Sequence, residues 1–295
     1  MQRPNPVVLA LAGAVPCFAD AALAQPAERF PAHAVERIEW RHLGPVNPVG
    51  RATDVAVHDA RQSTWFVGTA GGGLWRTRNA GTTWQCVFDR HGTVSIGDVA
   101  IAPSDPDVVW IGTGEENARN SVQWGDGVYR STDGGDSWTH VGLFESFQIG
   151  HVEIHPRDPN VVFVAALGRL WGSSEERGVY RTRDGGASWE RVLYLDDATG
   201  CIDVRLHPDD PDTVFACMYE RRRDAFDGND PAVRFGQHSG LYKSVDGGDN
   251  WRELTEGLPS CAWGRSGIDL LASGPDTMFA IVETERSGWQ KGDRK

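Results

Sequence analysis

One eight-residue pattern, Ser/Thr-x-Asp-x-Gly-x-x-Trp, recurs along this 295-residue chain. Its short polar side chain can accept hydrogen bonds from backbone N–H groups one to three residues later, which closes a turn. Glycine supplies the positive φ that a tight hairpin needs, and the tryptophan can pack back over the turn. Each copy therefore predicts a self-contained β-hairpin corner. The corners span residues 77–84, 131–138, 182–189 and 244–251.

Two positions define each corner, the turn-closing polar residue and the tryptophan. Local geometry already uses the polar residue in turn closure, so we assign it a structural role rather than a catalytic one. These structural pairs are Asn79 with Trp84, Asp133 with Trp138, Asp184 with Trp189, and Asp246 with Trp251.

The segments before the corners repeat as well. A short Gly-apolar-aromatic-basic strand, such as Gly127-Val128-Tyr129-Arg130, precedes each corner. An almost continuous apolar strand, such as Val161-Val162-Phe163-Val164-Ala165, comes earlier in each unit and is typical of a strand covered on both faces. The corner tryptophans are 54, 51 and 62 residues apart. A period near fifty with strand-sized pieces indicates a propeller.

The predicted fold class is all-β, a β-propeller of four-stranded antiparallel blades with four full blades and part of a fifth. Closed propellers have about four to eight blades, so we interpret the chain as an incomplete propeller and a fragment of a longer protein. The alternative is that an N-terminal strand completes the last blade. The predicted blades lie near residues 51–89, 94–144, 149–195, 201–258 and 265–295.

The N-terminus resembles a targeting segment. Arg3 provides a positive start, an apolar run follows, and Ala22-Leu23-Ala24 fits a small-x-small cleavage rule. We predict a signal peptide over residues 1–24, a linker over 25–37 and the propeller over 38–295. The alternative is an unprocessed apolar N-terminus. The prediction places the protein in the bacterial periplasm or outside the cell, and no later segment reaches the length of a membrane span.

Charge and cysteine content limit the partners. The net charge is −12 without a sizeable Lys/Arg block, so nucleic acid and anionic membranes are poor candidates. The cysteine spacings match no zinc pattern, and we expect no metal and no cofactor. Cys201 and Cys217 fall on consecutive predicted strands, where either a disulfide or two buried thiols is consistent with the sequence.

The corners resemble the BNR repeat, or Asp box, of sialidases, xyloglucan-cleaving glycosidases and sortilin-type receptors. The stretches Trp40-Arg41-His42-Leu43-Gly44-Pro45 and Trp110-Ile111-Gly112-Thr113-Gly114-Glu115-Glu116-Asn117 are similar to exported bacterial proteins described as sortilin-like or as BNR-repeat glycosyl hydrolases. This resemblance covers about residues 40–295 and implies a propeller. In xyloglucanase-like relatives it implies an Asp at the position matching Ala70, and that carboxylate is missing here. No sialidase arginine triad can be assigned.

A mixed polar and aromatic loop after the second strand of the second blade is the main candidate binding site. It offers the aromatic surface and planar hydrogen-bonding groups that sugar and peptide sites use. A solvated loop that caps its blade is the alternative. The candidate ligand-binding residues are Glu115, Glu116, Asn117, Arg119 and Trp124, with Arg51, Arg169 and Trp171 from neighbouring blades.

Two further charged sets receive structural interpretations. Asp54, Asp98, Asp203 and Asp269, with His151, begin the first strands, and we expect each acid to accept hydrogen bonds from the backbone of a neighbouring blade. Arg221-Arg222-Arg223 lies among acidic residues and is interpreted as a solvated surface.

The sequence thus favours an exported, non-catalytic propeller that binds a peptide, a protein or a carbohydrate. The alternative is a glycoside hydrolase of the xyloglucanase or sialidase type, which needs two carboxyl groups flanking the scissile bond, roughly 5–10 Å apart. The missing carboxylate at Ala70 favours the binding role, and no catalytic residue can be named.

Overall fold

The computed structural model describes residues 51–117, 119, 121–223, 234–271 and 273–286. These residues form antiparallel sheets and two single-turn 3₁₀ helices, Asp59–Arg61 and Phe144–Ser146. The predicted fold class, an all-β propeller of antiparallel sheets, is confirmed. The predicted signal peptide and linker, the first thirteen residues of the predicted propeller (38–50) and the chain end after residue 286 lie outside the described residues.

Each sheet is an up-and-down meander in chain order. Sheet 1 contains β1 (Ala52–Val57), β2 (Trp65–Thr69), β3 (Leu74–Thr77) and β4 (Gln85–Cys86). Sheet 2 contains β5 (Ile96–Ile101), β6 (Val109–Thr113), β7 (Val128–Ser131) and β8 (Thr139–His140). Sheet 3 contains β9 (Ile149–Ile154), β10 (Val162–Ala166), β11 (Gly178–Thr182) and β12 (Glu190–Leu193). Sheet 4 contains β13 (Thr199–Leu206), β14 (Val214–Glu220), β15 (Gly240–Ser244) and β16 (Arg252–Leu254). The described part of sheet 5 contains β17 (Trp263–Leu270) and β18 (Met278–Thr284).

Stacking of the sheets explains the apolar second strands. Every residue of β6 and β10 is buried, because both faces of these strands are covered. The first strands of consecutive sheets contact one another, so β1, β5, β9, β13 and β17 form an inner ring. Four apolar clusters fill the spaces within and between the sheets.

A carboxylate on the inner ring joins each pair of neighbouring sheets. At three junctions an Asp accepts the backbone N–H of the next first strand, as the sequence predicted. These contacts run from Val99 N to Asp54 at 3.1 Å, from Val152 N to Asp98 at 2.8 Å, and from Ile268 N to Asp203 at 2.9 Å. At the junction of sheets 3 and 4, His151 takes the Asp position. There Glu153 instead accepts the N–H of Leu206 at 3.1 Å.

The prediction that Asp269 continues this column was wrong. Asp54 pairs with Gly68 and Asp203 pairs with Cys217 on the second strands, and in sheet 5 the matching pair is Gly267 with Ile281. Asp269 lies two residues further along β17 and is exposed.

The corners close by the predicted local hydrogen bonds. In the third one, Asp184 Oδ1 accepts Ser188 N at 2.9 Å and its Oδ2 accepts Ser188 Oγ at 2.6 Å. The Thr182 hydroxyl donates to Asp184 and accepts Gly186 N. Asn79 closes the first corner in the same way, with its Oδ1 accepting Thr83 N at 2.8 Å. The corner side chains are therefore occupied within their own turns.

The tryptophans of the second and third corners pack against the preceding sheet. Trp189 donates to Val141 O at 2.6 Å and meets Trp110 edge-on, with ring centroids 6.3 Å apart. Trp138 meets Phe88 edge-on at 5.8 Å. Trp84 lies in the first described sheet and is 41% exposed. Corner packing therefore joins sheets as well as closing turns.

Basic residues on the third strands strengthen the same junctions. Arg76 is 2% exposed and donates to Gly134 O of the next corner at 2.6 Å, and its guanidinium lies 2.7 Å from Asp136. Arg181 repeats the arrangement with Gly247 O and with Asp249 at 2.7 Å. The basic residue that ends the strand motif thus binds the neighbouring sheet.

Cys201 and Cys217 do not form a disulfide, because both sulfur atoms are free and buried. Burial raises the pKa of both thiols, that of Cys217 to about 12. Both residues belong to the packed interior of sheet 4.

The lowered pKa values of the corner carboxylates predict that the folded state loses stability in acid. Hydrogen bonds from Ser188 and Asn250 lower the pKa of Asp184 and Asp246 to about 2. For Asp133 burial acts in the opposite direction, but hydrogen bonds led by that from Ser137 bring its pKa to about 2. An unfolded Asp titrates near 3.9. Their stabilising contribution is therefore complete above about pH 4 and is lost as the pH falls through about 2.

Replacing these three Asp residues with Asn should flatten the acid limb of the unfolding free energy between about pH 4 and pH 2. Asn79 already shows that an amide fits a corner. Chemical denaturation across this pH range measures the slope. Asp209→Asn, an exposed carboxyl outside the corners, serves as the control. An unchanged slope in the triple variant would contradict the proposed origin of the acid sensitivity.

Candidate functional site

The predicted binding loop begins with a buried carboxylate. Gly114 follows β6 with φ of 86°, and a Cβ there would lie 1.9 Å from Phe147 O. Glu115 is 1% exposed, receives the Arg51 guanidinium in an ion pair, and accepts Asn117 Nδ2 at 2.7 Å. The structure thus brings three predicted site residues together, and it uses Glu115 as an anchor for the loop.

Glu116 and Asn117 bind an arginine from a distant strand. Arg265 on β17 pairs with the Glu116 carboxylate and donates to Asn117 Oδ1 at 3.1 Å. Burial raises the pKa of Glu116, although the Arg265 charge acts in the opposite direction. The Glu116 side chain is 22% exposed and lines a cavity of about 500 Å³ beside the inner ring. Glu116 therefore combines a structural ion pair with access to the cavity.

The prediction that residues 221–223 form a solvated surface was wrong for Arg221 and Arg223, which are 0% and 1% exposed. Arg221 donates to Glu116 O at 3.2 Å and to the Gln148 side chain. Burial lowers the pKa of Arg221 to about 9. Arg222 is exposed as predicted. Arg221 fixes the base of the candidate loop because its guanidinium connects two separate segments.

An aromatic and cationic surface lies beside this network. Trp124 is 58% exposed and meets Phe147 edge-on at 5.7 Å. The Arg169 guanidinium lies 4.8 Å from the Phe147 ring centroid. Phe147 O accepts Gly125 N at 2.8 Å, which ties the two loops together. We call Trp124, Phe147 and Arg169 the aromatic platform.

The platform rests on a second buried arginine. Arg177 is 0% exposed, and its guanidinium donates to Leu167 O, to Asp197 O at 2.9 Å and to Arg169 O at 2.9 Å. These bonds fix the backbone that carries Arg169.

The two remaining predicted site residues lie outside these contacts. Arg119 is exposed, and its backbone N donates to Asn117 O at 3.0 Å. Trp171 is half-buried and forms a parallel bridge with Arg223. Sequence reasoning missed Phe147, Arg177 and Arg265, since neither motif nor spacing marks them.

Ionisable side chains on three neighbouring first strands line the cavity or the adjoining part of the inner ring. His151 Nδ1 lies 3.6 Å from Asp98 and 3.9 Å from Asp203, and its Nε2 lies 3.3 Å from Glu153. Arg205 Nε lies 3.2 Å from Asp203. We call these five residues the inner cluster.

Protonation in the inner cluster follows burial and charge. Burial raises the pKa of Asp98, opposed by the charge of His151. Burial acts to lower the pKa of His151, but the carboxylates of Asp98 and Glu153 outweigh it and raise that pKa. The pair therefore binds protons more tightly when folded than the separate groups would in the unfolded chain.

The position matched to the xyloglucanase Asp carries no functional group. Ala70 is 5% exposed, and its N–H donates to Arg51 O at 3.0 Å. Within the described ranges, no group of three or more His, Cys, Asp or Glu residues has an arrangement able to hold a metal ion. No helix in the described part of the chain is long and apolar enough to cross a membrane.

Comparison with solved structures places this architecture in a known class. An ancestral GH74 enzyme superposes with a TM-score of 0.55 at 23% identity, covering 76% of this chain and 28% of that one. The Niastella koreensis GH74 enzyme superposes with a TM-score of 0.53 at 21% identity, covering 78% and 35%. These superpositions show the fold of this chain, a β-propeller.

Sequence comparison identifies the family. The family model Sortilin-Vps10, described as sortilin, neurotensin receptor 3, matches residues 126–294. This is more than half of the chain, and the chain belongs to that family.

Two curated relatives are similar over shorter stretches. An oligoxyloglucan-reducing end-specific xyloglucanase of Emericella nidulans is 31% identical over 117 residues, which is 39% of this chain and 13% of the relative. A xyloglucanase of Paenibacillus sp is 24% identical over 173 residues, or 53% and 16%. The chain thus matches only a small part of these relatives.

Proposed function

We propose that this chain is an exported, non-catalytic propeller module that binds a peptide, a protein or a glycan at the aromatic platform. The observation that carries the proposal is the Trp124 ring, which is 58% exposed yet held by Phe147. An exposed, fixed aromatic surface beside planar polar groups is a common basis of ligand recognition.

The nearby carboxylates already have ion-pair or hydrogen-bond partners within the protein, and this supports a binding role over catalysis. Glu115 and Glu116 pair with Arg51 and Arg265. Asp98 and Asp203 each use one oxygen to hold the next sheet. A glycosidase needs one carboxyl that donates a proton and a second that attacks or activates water. These carboxylates are structural partners, and the match to the relatives' Asp is Ala70.

A glycoside hydrolase is the second candidate, and the inner cluster favours it. Asp98 has a raised pKa beside His151, and both line the cavity of about 500 Å³. A carboxyl whose pKa is raised toward neutrality can act as a general acid. The names of the curated relatives make xyloglucan the first polysaccharide to test.

Turnover distinguishes the two candidates. The purified chain is incubated with xyloglucan, mixed-linkage β-glucan and aryl glycosides, and released reducing sugar or aryl alcohol is measured. The binding proposal expects no release above the buffer control. Release that Asp98→Asn abolishes, with the fold intact by circular dichroism, would overturn it in favour of hydrolysis.

Trp124→Ala should weaken ligand binding at least tenfold and leave the melting temperature almost unchanged, because the ring is mostly exposed. Binding is measured on a peptide array and a glycan array, followed by titration of the strongest hit. Asp133→Ala is the matched control. It should lower the melting temperature by opening its corner, while the folded fraction binds normally. Normal binding by Trp124→Ala would show that the platform only caps its blade.

A further inference from the structure

A groove at the outer rim runs along β8, between the edge of sheet 2 and the corner of sheet 3. Its volume is about 760 Å³. Its lining contains Thr132 and Thr139 from sheet 2 and Ser188 from the next corner, with Phe144 among its residues. Among the described residues, the Thr132 and Thr139 hydroxyls have no hydrogen-bond partner, and both threonines are exposed. We call this space the rim groove; none of its residues belongs to the aromatic platform.

Phe144 presents a fixed aromatic face at the groove. It is 64% exposed, and one face of its ring stacks on His140 with centroids 3.7 Å apart and planes at 24°. His140 is itself held by contacts to Asp126 O at 2.7 Å and from Gly142 N at 3.3 Å. The Tyr129 ring meets the imidazole edge-on at 4.7 Å. The second face of Phe144 therefore stays exposed on an immobilised support.

The backbone that projects Phe144 is strained. Leu143 and Phe147, which flank the single-turn helix, have φ of 57° and 55°. Such φ values are unfavourable for non-glycine residues and concentrate at functional sites. The fold contains these two unfavourable backbone conformations, and it also leaves the large Phe144 side chain exposed to solvent. Both observations favour a use for the exposed ring.

The described lining of the groove contains no carboxylate, and its one guanidinium is already hydrogen-bonded. Its cation, Arg130, is engaged by Asn160 Oδ1 at 2.9 Å and by Gly185 O. The equivalent space between sheets 1 and 2 is lined by Asp89, Arg90 and Asp136 and is charged. The fold therefore repeats the groove, and of these two described copies the one beside Phe144 combines free hydroxyls with an exposed aromatic face.

We propose that the rim groove is a second binding site, specific for a neutral saccharide. The C–H groups of a sugar ring would pack on the electron-rich face of Phe144. Its hydroxyls would exchange hydrogen bonds with Thr132 and Thr139, whose hydroxyls both donate and accept. An apolar partner would find one large exposed side chain here. A cationic partner would find no carboxylate among the described lining residues, and the Arg130 guanidinium that an anion would need already donates to Asn160 Oδ1 and Gly185 O. The site is separate from the aromatic platform.

Affinity gel electrophoresis tests this site with mixed-linkage β-glucan, galactomannan, arabinoxylan and hydroxyethylcellulose cast into native gels. At least one polysaccharide should retard the wild-type chain. Phe144→Ala should raise the apparent Kd at least tenfold without changing the melting temperature, and Phe144→Trp should retain binding. Arg90→Ala, in the charged groove, should bind like the wild type, and Trp124→Ala is run beside it to report on the platform.

Two results would overturn the rim site. One is the absence of retardation of the wild-type chain in every gel, and the other is normal retardation of Phe144→Ala. Loss of retardation in Trp124→Ala with normal Phe144→Ala would also overturn it, and would assign saccharide binding to the platform proposed above. The two proposals can therefore fail independently.

Discussion

Replacing Trp189 with alanine is expected to lower the unfolding free energy by about 3–5 kcal/mol, as other large buried truncations do. The ring packs edge-on against Trp110, and its indole N–H donates to Val141 O at 2.6 Å. Alanine would leave a cavity between sheets 2 and 3 and an unpaired carbonyl. Urea unfolding followed by circular dichroism measures the loss.

Trp84 provides the matched control for this experiment. It occupies the same corner position, but it is 41% exposed and meets Trp65 edge-on at 6.4 Å. Trp84→Ala should therefore cost no more than about 1 kcal/mol. Equal losses at both positions would mean that corner tryptophans stabilise their own turns and contribute nothing to the junctions.

Asp98→Ala is expected to cost about 3–5 kcal/mol, because it breaks a buried, charge-assisted arrangement. Asp98 is 6% exposed, accepts Val152 N at 2.8 Å, and lies 3.6 Å from His151. Its removal leaves a buried N–H unpaired and takes away a carboxylate that compensates the imidazolium. Urea unfolding at neutral pH gives the magnitude.

Two variants separate the hydrogen bond from the charge. Asp54→Ala removes the same kind of contact, Val99 N at 3.1 Å, where no ion pair with His151 occurs, and should cost about 1–3 kcal/mol. Asp98→Asn keeps an acceptor and should lower the His151 pKa measured by NMR titration. An unchanged His151 pKa would show that Asp98 holds the sheets without stabilising the charge.

The sequence was sufficient for the fold because the corners are local. All the atoms that close the Asp184 corner lie within seven residues, from Thr182 to Ser188, so the pattern specifies the turn without tertiary information. Repetition then supplied the period and the sheet order. The inner-ring contacts of Asp54, Asp98 and Asp203 were also predictable, because repeated acids at one strand position imply a repeated partner.

The candidate site was only partly predictable. The loop that contains Glu115, Glu116 and Trp124 was conspicuous by composition, but its partners are remote. Arg221 is 105 residues from Glu116, and Arg265 is 148 residues from Asn117. No local rule connects such positions, and for the same reason Arg221 was assigned to a solvated surface.

The register of strand β17 was the second feature that could not be predicted from the sequence. Asp269 matched the apparent column by residue type, but strand pairing gives the position to Gly267. Because the matching position holds a glycine, the nearest acid along the strand was mistaken for the repeat, and residue type alone does not give the register.

Because each sheet is bonded chiefly to its immediate neighbours, the array behaves as a one-dimensional cooperative system in which free energy accumulates junction by junction. The terminal members of such an array have a neighbour on one side and open first, whereas interior members are protected from both sides. The aromatic platform and the rim groove both belong to the interior sheets, so they sit where the described array is least prone to local opening.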